Sequence, residues 1–373
     1  MNNGLRVRFG AVIATLVVAL VAAGCTPPPT LTPQEQVDQI IAFVEAVRGH
    51  SFVTHPVVTF ESDAQFVQDV LDNVAAAKPS VDAAEPTFHA LGWLAPGDDL
   101  YAKYQIAFGG AVVGFYDPVS KVLKVRGTDL TPYRREVIAH ELTHALDDQL
   151  FALDDDFGDG LLGERTFSSL VAIEGDAVRT QQAYYNSMTG IEQAQDVAEQ
   201  LSFPVDPALL TVPLALLTFT QTPYLRGGTF VNEVAAAGGG VPGIDAMFSR
   251  YPATEEQAFD TTKYLANEPA VAVPVPPADG TVAASGTWGQ FLLSLLLHNG
   301  IAVDVDPVTI GWAGDGFVTW TAGAQSCLRL DTRMDTQAEA NTLSAAVNAW
   351  AVTQPAALVT APAPATVRLT ACI

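Results

Sequence analysis

The residues best equipped for chemistry lie close together. The stretch "VIAHELTHALDD", residues 137–148, carries His140, Glu141 and His144 in the order H-E-x-x-H. On an α-helix, positions i and i+4 lie on one face, so the two imidazoles can converge on a single ion. Zinc takes histidine nitrogens at about 2.0–2.1 Å, and a catalytic site uses three protein ligands plus water. Glu141 flanks the first histidine and can reach a bound water without being a ligand, as a general base must. The motif therefore supplies two ligands and a base, and a third ligand must come from elsewhere.

The longer form that ends in a third histidine is absent, and Asp147 and Asp148 follow His144 directly. His50, His55 and His89 are upstream, and His298 is far downstream. The segment "SLVAIEGDAVRT" (169–180) offers Glu174 among Leu170, Val171, Ile173 and Val178. An ionised carboxylate on an apolar helix face is costly unless a cation meets it. Zinc would be that cation; a helix cap or a pair with Arg179 is the alternative. Glu164, beside a Gly-rich loop, competes for the same role.

H-E-x-x-H with a glutamate on the following helix resembles the gluzincin zinc metallopeptidases. The chain is also similar to a group of exported bacterial and archaeal metallopeptidase-like lipoproteins. That likeness extends to "VVGFYDPVSKVLKV", "PYLRGGTFV", "EEQAFDTTKY" and "GWAGDGF". The resemblance implies a zincin-like core, with a small twisted sheet over an active-site helix and a glutamate helix. It implies His140, His144 and Glu174 as ligands of Zn2+ and Glu141 as base. It also implies an edge strand, 112–116, that binds a peptide or protein substrate in extended form. The pattern departs from the family at Val178, where such enzymes place an aspartate that orients the first histidine. Asp147 or Asp148 could serve instead, or be solvated helix-end charges. His298, Tyr224 and Tyr264 are candidates for stabilising an oxyanion, and sequence assigns none of them.

These residues need elements to hold them. Apolar spacing predicts helices over 34–48 and 63–77, the latter stopped by Lys78-Pro79. Residues 110–127 read as a β-hairpin turning at Asp117-Pro118. Thr131 as N-cap and Pro132 at N1 open the motif helix, which runs to about 150. Helices are expected over 167–185 and 191–201, with short ones at 229–237 and 243–249. The Pro-rich stretch 269–280 reads as a linker or crossing loop. Beyond it, a helix at 288–297, strands at 317–321 and 327–332, a helix at 336–352 and a strand at 366–372 form an α-β-β-α-β unit. The expected class is thus α+β, with a catalytic domain over 34–268 and a C-terminal unit over 281–373.

The N-terminus reads as a targeting segment. Arg6 and Arg8 precede an apolar run of about 15 residues, short for a membrane span but right for a signal peptide. The run ends in "VAAGC", which resembles a lipobox: residues 1–24 are the signal and Cys25 is the lipidated first mature residue. Residues 25–33 are a Pro-rich tether. The alternative is an ordinary signal peptide cut elsewhere. Of three cysteines, Cys327 and Cys372 then remain to form a disulfide in an oxidising compartment, or to lie as separate thiols. Asp154, Asp155, Asp156 and Asp159 could bind calcium, but Arg165 stands where an EF-hand glutamate belongs, which favours a solvated loop.

Of the 373 residues 49% are hydrophobic, so a large core is available; the net charge of -23 argues against binding nucleic acid. The whole reading is an extracytoplasmic zinc metallopeptidase anchored to a bacterial cell membrane. Its rival is an envelope-binding lipoprotein whose zinc is structural or absent.

Overall fold

The computed structural model describes residues 31–153, 160–203, 206–302, 304–354 and 356–372. The signal segment, Cys25, the tether as far as residue 30, and Asp154, Asp155, Asp156 and Asp159 lie outside these residues.

The chain runs through α1 (Pro33–Arg48), β1 (Val57–Glu61), α2 (Asp63–Val74), α3 (Lys78–Ala90) and α4 (Leu100–Ala111). A hairpin, β2 (Gly114–Asp117) and β3 (Val122–Arg126), feeds α5 (Pro132–Phe151) and α6 (Glu164–Ser187). Next come α7 (Gly190–Ser202), α8 (Leu214–Gly238), α9 (Val241–Ser249), α10 (Glu255–Phe259) and α11 (Thr261–Ala266). The remainder is β4 (Thr281–Gly286), α12 (Gln290–Leu297), β5 (Trp312–Ala322), β6 (Gln325–Met334), α13 (Gln337–Ala351), β7 (Ala357–Thr360) and β8 (Thr366–Cys372). The class is mixed α+β with small sheets. No helix among the described residues is long and apolar enough to cross a membrane.

The first sheet has the order β1-β3-β2, with β1 parallel and β2 antiparallel to β3. Its β2 edge lies beside α5. Gly114 permits that approach, since a Cβ there would meet Val137 Cγ1 at 2.8 Å. The second sheet is antiparallel, in the order β4-β5-β6-β8-β7. Cys327 and Cys372 face each other in register on β6 and β8 and form a disulfide.

α5 begins as its sequence dictates: the Thr131 side chain accepts from Arg134 N, and Pro132 follows. It buries Ile138, Leu142, Ala145 and Leu146 completely. α8 crosses α6 at a glycine pair. A Cβ on Gly175 would come within 2.4 Å of Gly227 O, and one on Gly227 within 2.5 Å of Val171 O. Only hydrogen at both positions lets the two backbones touch.

Several expectations require correction. Lys78-Pro79 does not end a helix: it starts α3, with Pro79 in the first turn, where its missing N–H costs nothing. The short helix expected at 229–237 is the second half of the 25-residue α8, which continues through Pro223. Its glycines serve the contact with α6 rather than a break. α4, β1, β4 and β7 were not anticipated, and the last two extend the C-terminal sheet to five strands. Residues 269–280 cross along β5: Val271 N donates to Ala313 O at 2.6 Å, and a Cβ on Gly314 or Gly316 would strike the carbonyls of 271–274. A single cluster of buried apolar side chains runs from Val81 on α3 to Ala371 on β8, so the segments flanking this crossing share a core.

Candidate metal centre

α5 and α6 together bring three ligand atoms to one point. His140 Nε2 lies 3.1 Å from His144 Nε2 and 3.2 Å from Glu174 Oε2; His144 Nε2 lies 3.3 Å from the same oxygen. These three side chains form the one group among the described residues able to hold a metal ion. The fit can be tested on the triangle's edges. Zinc bonds of about 2.0–2.1 Å at tetrahedral angles place ligand atoms roughly 3.3–3.4 Å apart. The observed edges fall just inside that spacing. The donor set, two imidazoles and a carboxylate, is one that suits zinc. Its acceptor atoms crowd one another and need a proton or a cation between them. Burial acts to raise the Glu174 carboxyl, but the charges and hydrogen bonds of His144 and His140 outweigh it and hold it well below the usual range.

Glu141 adjoins His140 and is buried. Its Oε2 accepts a hydrogen bond from Tyr116 N of β2 at 2.9 Å. Burial pushes the carboxyl up to about 7; His140 and the Tyr116 N–H oppose the rise, and Glu174 adds to it. A carboxyl poised near neutrality can accept and return a proton. The bond is possible because β2 is an edge strand: Tyr116 pairs with Leu123 at a non-hydrogen-bonded position, so its N–H points away from β3.

The three oxyanion candidates separate cleanly. The Tyr224 ring, on α8, lies 6.0 Å from the His140 ring and nearly parallel to it. Lost solvation, then the charges of Glu174 and Glu141, push its phenol well above the ordinary value. The residue remains 40% exposed, so it stands at the mouth of the site. Tyr264 is buried elsewhere and donates to Arg250 O, and His298 pairs with Asp306. Tyr224 reaches the centre because of the Gly175–Gly227 crossing: it is one turn before Gly227, and Glu174 adjoins Gly175.

The expected histidine-orienting role of Asp147 or Asp148 is not found. Asp147 is fully buried and accepts from Arg48 Nη2 at 2.7 Å. Asp148 accepts from the Tyr116 hydroxyl at 2.7 Å and from Lys121 Nζ at 2.6 Å. Both carboxylates are taken up by these partners rather than by His140 or His144. Gln181 makes the contact instead, with its Oε1 3.0 Å from His140 Nδ1. Its only sequence signal was the spacing of seven residues, two helical turns, from Glu174 on α6. Glu164, the rival third ligand, accepts from Glu255 N, and Arg179 lies 3.9 Å from Asp176 rather than against Glu174. His50 pairs with Asp245, and His89 bonds Leu94 O.

No family model matches the chain, and no curated protein or solved structure does either.

Proposed function

We propose that this chain is a zinc-dependent metallopeptidase of gluzincin type, tethered outside a bacterial membrane through lipid on Cys25. The observation that carries the catalytic reading is the near-equilateral triangle of His140, His144 and Glu174 atoms with Glu141 beside it. The zincin arrangement would be formed by the β1-β3-β2 sheet with α5 and α6. The anchor rests on the sequence of residues 1–25.

When bound by these three residues, zinc supplies a water acidified to a pKa of about 7 and polarises the scissile carbonyl. The outward backbone groups of Gly114 and the Tyr116 carbonyl would hold a substrate strand against β2, the Tyr116 N–H being taken by Glu141. Glu141 would take the proton of the attacking water and pass it to the leaving amine. The Tyr224 hydroxyl would donate to the oxygen on which negative charge develops. An intact Glu141 favours catalysis over a structural site, which needs no base.

Metal analysis and peptide hydrolysis, with and without chelator, test the reading. Purified protein should carry zinc, and His140→Ala should lose it. Glu141→Gln should keep zinc and lose activity by about 10²–10⁴-fold. Zinc that survives His140→Ala, or hydrolysis unaffected by Glu141→Gln, would overturn the proposal.

A further inference from the structure

We propose that Gln181 is the positioning residue of the first ligand, His140, and that its amide is locked in one orientation by Glu136 and Gln200. This rests on the zinc reading above and adds what sets the ligand's tautomer.

An amide beside an imidazole nitrogen is ambiguous. Its oxygen can accept from Nδ1–H, or its NH2 can donate to a bare Nδ1. The second bond of the amide decides. Gln181 Nε2 donates to Glu136 Oε1 at 3.2 Å. The same Glu136 oxygen accepts from Gln200 Nε2 at 3.3 Å, and Gln200 Nε2 also donates to Asp196 Oδ1 at 2.6 Å. With two amide donors on Oε1, any proton Glu136 carries belongs on its other oxygen. Oε1 is an acceptor in either state. Reversing Gln181 would set its oxygen against that acceptor, in a site where Glu136 is only 5% exposed. Gln181 Oε1 therefore faces His140, and His140 must present Nδ1–H to it. That leaves the Nε2 lone pair, the one aimed at His144 and Glu174, free for an ion.

The placement is built from three helices. Glu136 is one turn before His140 on α5, Gln181 two turns after Glu174 on α6, and Gln200 lies near the end of α7. α7 is pinned to α5 separately, through Arg135 and Glu192 at 2.7 Å. Outer partners of metal-bound histidines fix ring orientation, and their loss typically weakens metal binding by about 10–100-fold. Here the acceptor is neutral, so the ring is oriented without a further negative charge beside Glu141 and Glu174.

The test is zinc affinity by chelator competition on the full folded chain, with the visible spectrum of the cobalt-substituted protein as a reporter of ligand geometry. Gln181→Met, close in shape but with only a weak sulfur acceptor, should weaken zinc by about 10–100-fold and alter the cobalt spectrum. Glu136→Met should move both in the same direction, because Gln181 is then free to turn. Glu136→Gln retains an acceptor for Gln181 and should restore affinity to within about threefold of wild type. Wild-type affinity in Gln181→Met overturns the proposal, and a loss in Gln181→Met with none in Glu136→Met overturns the locking role of Glu136. Failure of the wild-type protein to bind zinc is a different result: it removes the reading of the centre itself. Should Gln181→Met not fold, the Glu136 pair still decides, since no difference between them in zinc affinity refutes the lock.

Discussion

At the scale of single residues, the centre is a set of groups whose chemistry is fixed by neighbours. Tyr224 is the clearest case. Its ring lies along His140, and its phenol is held protonated by lost solvation and by Glu174 and Glu141. On the proposed reading, a proton-bearing hydroxyl beside His140 donates to a developing oxyanion and contributes little to holding the ground state. Tyr224→Phe should therefore lower kcat by about 10²-fold with a small change in KM, as loss of one oxyanion donor does. Steady-state kinetics on a peptide substrate would check it; a pure KM effect would move Tyr224 to substrate binding. Helical periodicity places His140 and His144 together at i and i+4 with Glu141 beside them, and Glu174 was read from its apolar neighbours on the next helix. Gln181 was not legible in sequence, because which residue of α6 meets the far side of an α5 histidine depends on how the two helices cross.

At the scale of elements, two devices hold the helices of the centre in place. One is steric. Gly175 and Gly227 let α8 rest on α6, and α8 carries Tyr224. Gly227→Ala would drive a methyl into Val171 O and Gly175, both backbone and unable to yield. It should destabilise the protein by about 1–3 kcal/mol and lower activity beyond that loss, because Tyr224 moves with α8. Denaturant unfolding and kinetics on the folded fraction would separate the two. Glycines inside a helix look like a break in sequence, and only the second half of α8, 229–237, was expected as helix. The other device is ionic. Arg48, at the end of α1 and fully buried, bonds Asp147 of α5 and lies 2.6 Å from Asp176 of α6. Burial, then the neighbouring Asp176, push Asp147 well above its ordinary value. Asp147→Asn keeps the oxygen that Arg48 uses and should shift stability by no more than about 1 kcal/mol. Arg48→Met strands the acidic partners and should cost about 3–5 kcal/mol. Equal effects from the two substitutions in urea melts would contradict this account.

At the scale of the whole molecule, the sequence pattern predicted α12, α13 and three strands of the C-terminal sheet but neither β4 and β7 nor how the unit joins the rest. The strands of 327–332 and 366–372 were legible from β-rich spacing, and so was their disulfide. Its closed loop spans 45 positions, which in the chain-entropy model corresponds to about 4 kcal/mol of stability. The joint was not legible, because it is made by carboxylates far apart in sequence. Glu255 from "EEQAF" accepts from Phe291 N at 2.6 Å, and Asp315 from "GWAGDGF" accepts from Trp288 N and Gly289 N at 2.6 and 3.0 Å. Both cap the start of α12, which is buried and has no side-chain cap of its own. Two stretches that carried a family likeness thus become a structural clasp. Its cost is electrostatic. Burial pushes Asp315 up to about 6 from 3.8, against the pull of the Trp288 and Gly289 amides and the Trp312 indole. Since the folded value is the higher, the native state holds this proton where the unfolded chain has released it. The contribution of Asp315 is therefore fully present below about pH 4 and is lost as pH rises to about 6, to the extent of about 2–3 kcal/mol. In Asp315→Asn the titration is gone, so the stability of wild type minus variant should fall across that window and be flat above it. Urea midpoints from pH 4 to 8 for the two proteins measure this difference directly. A difference that rises with pH would mean that the three N–H donors outweigh burial and that Asp315 folds as the anion.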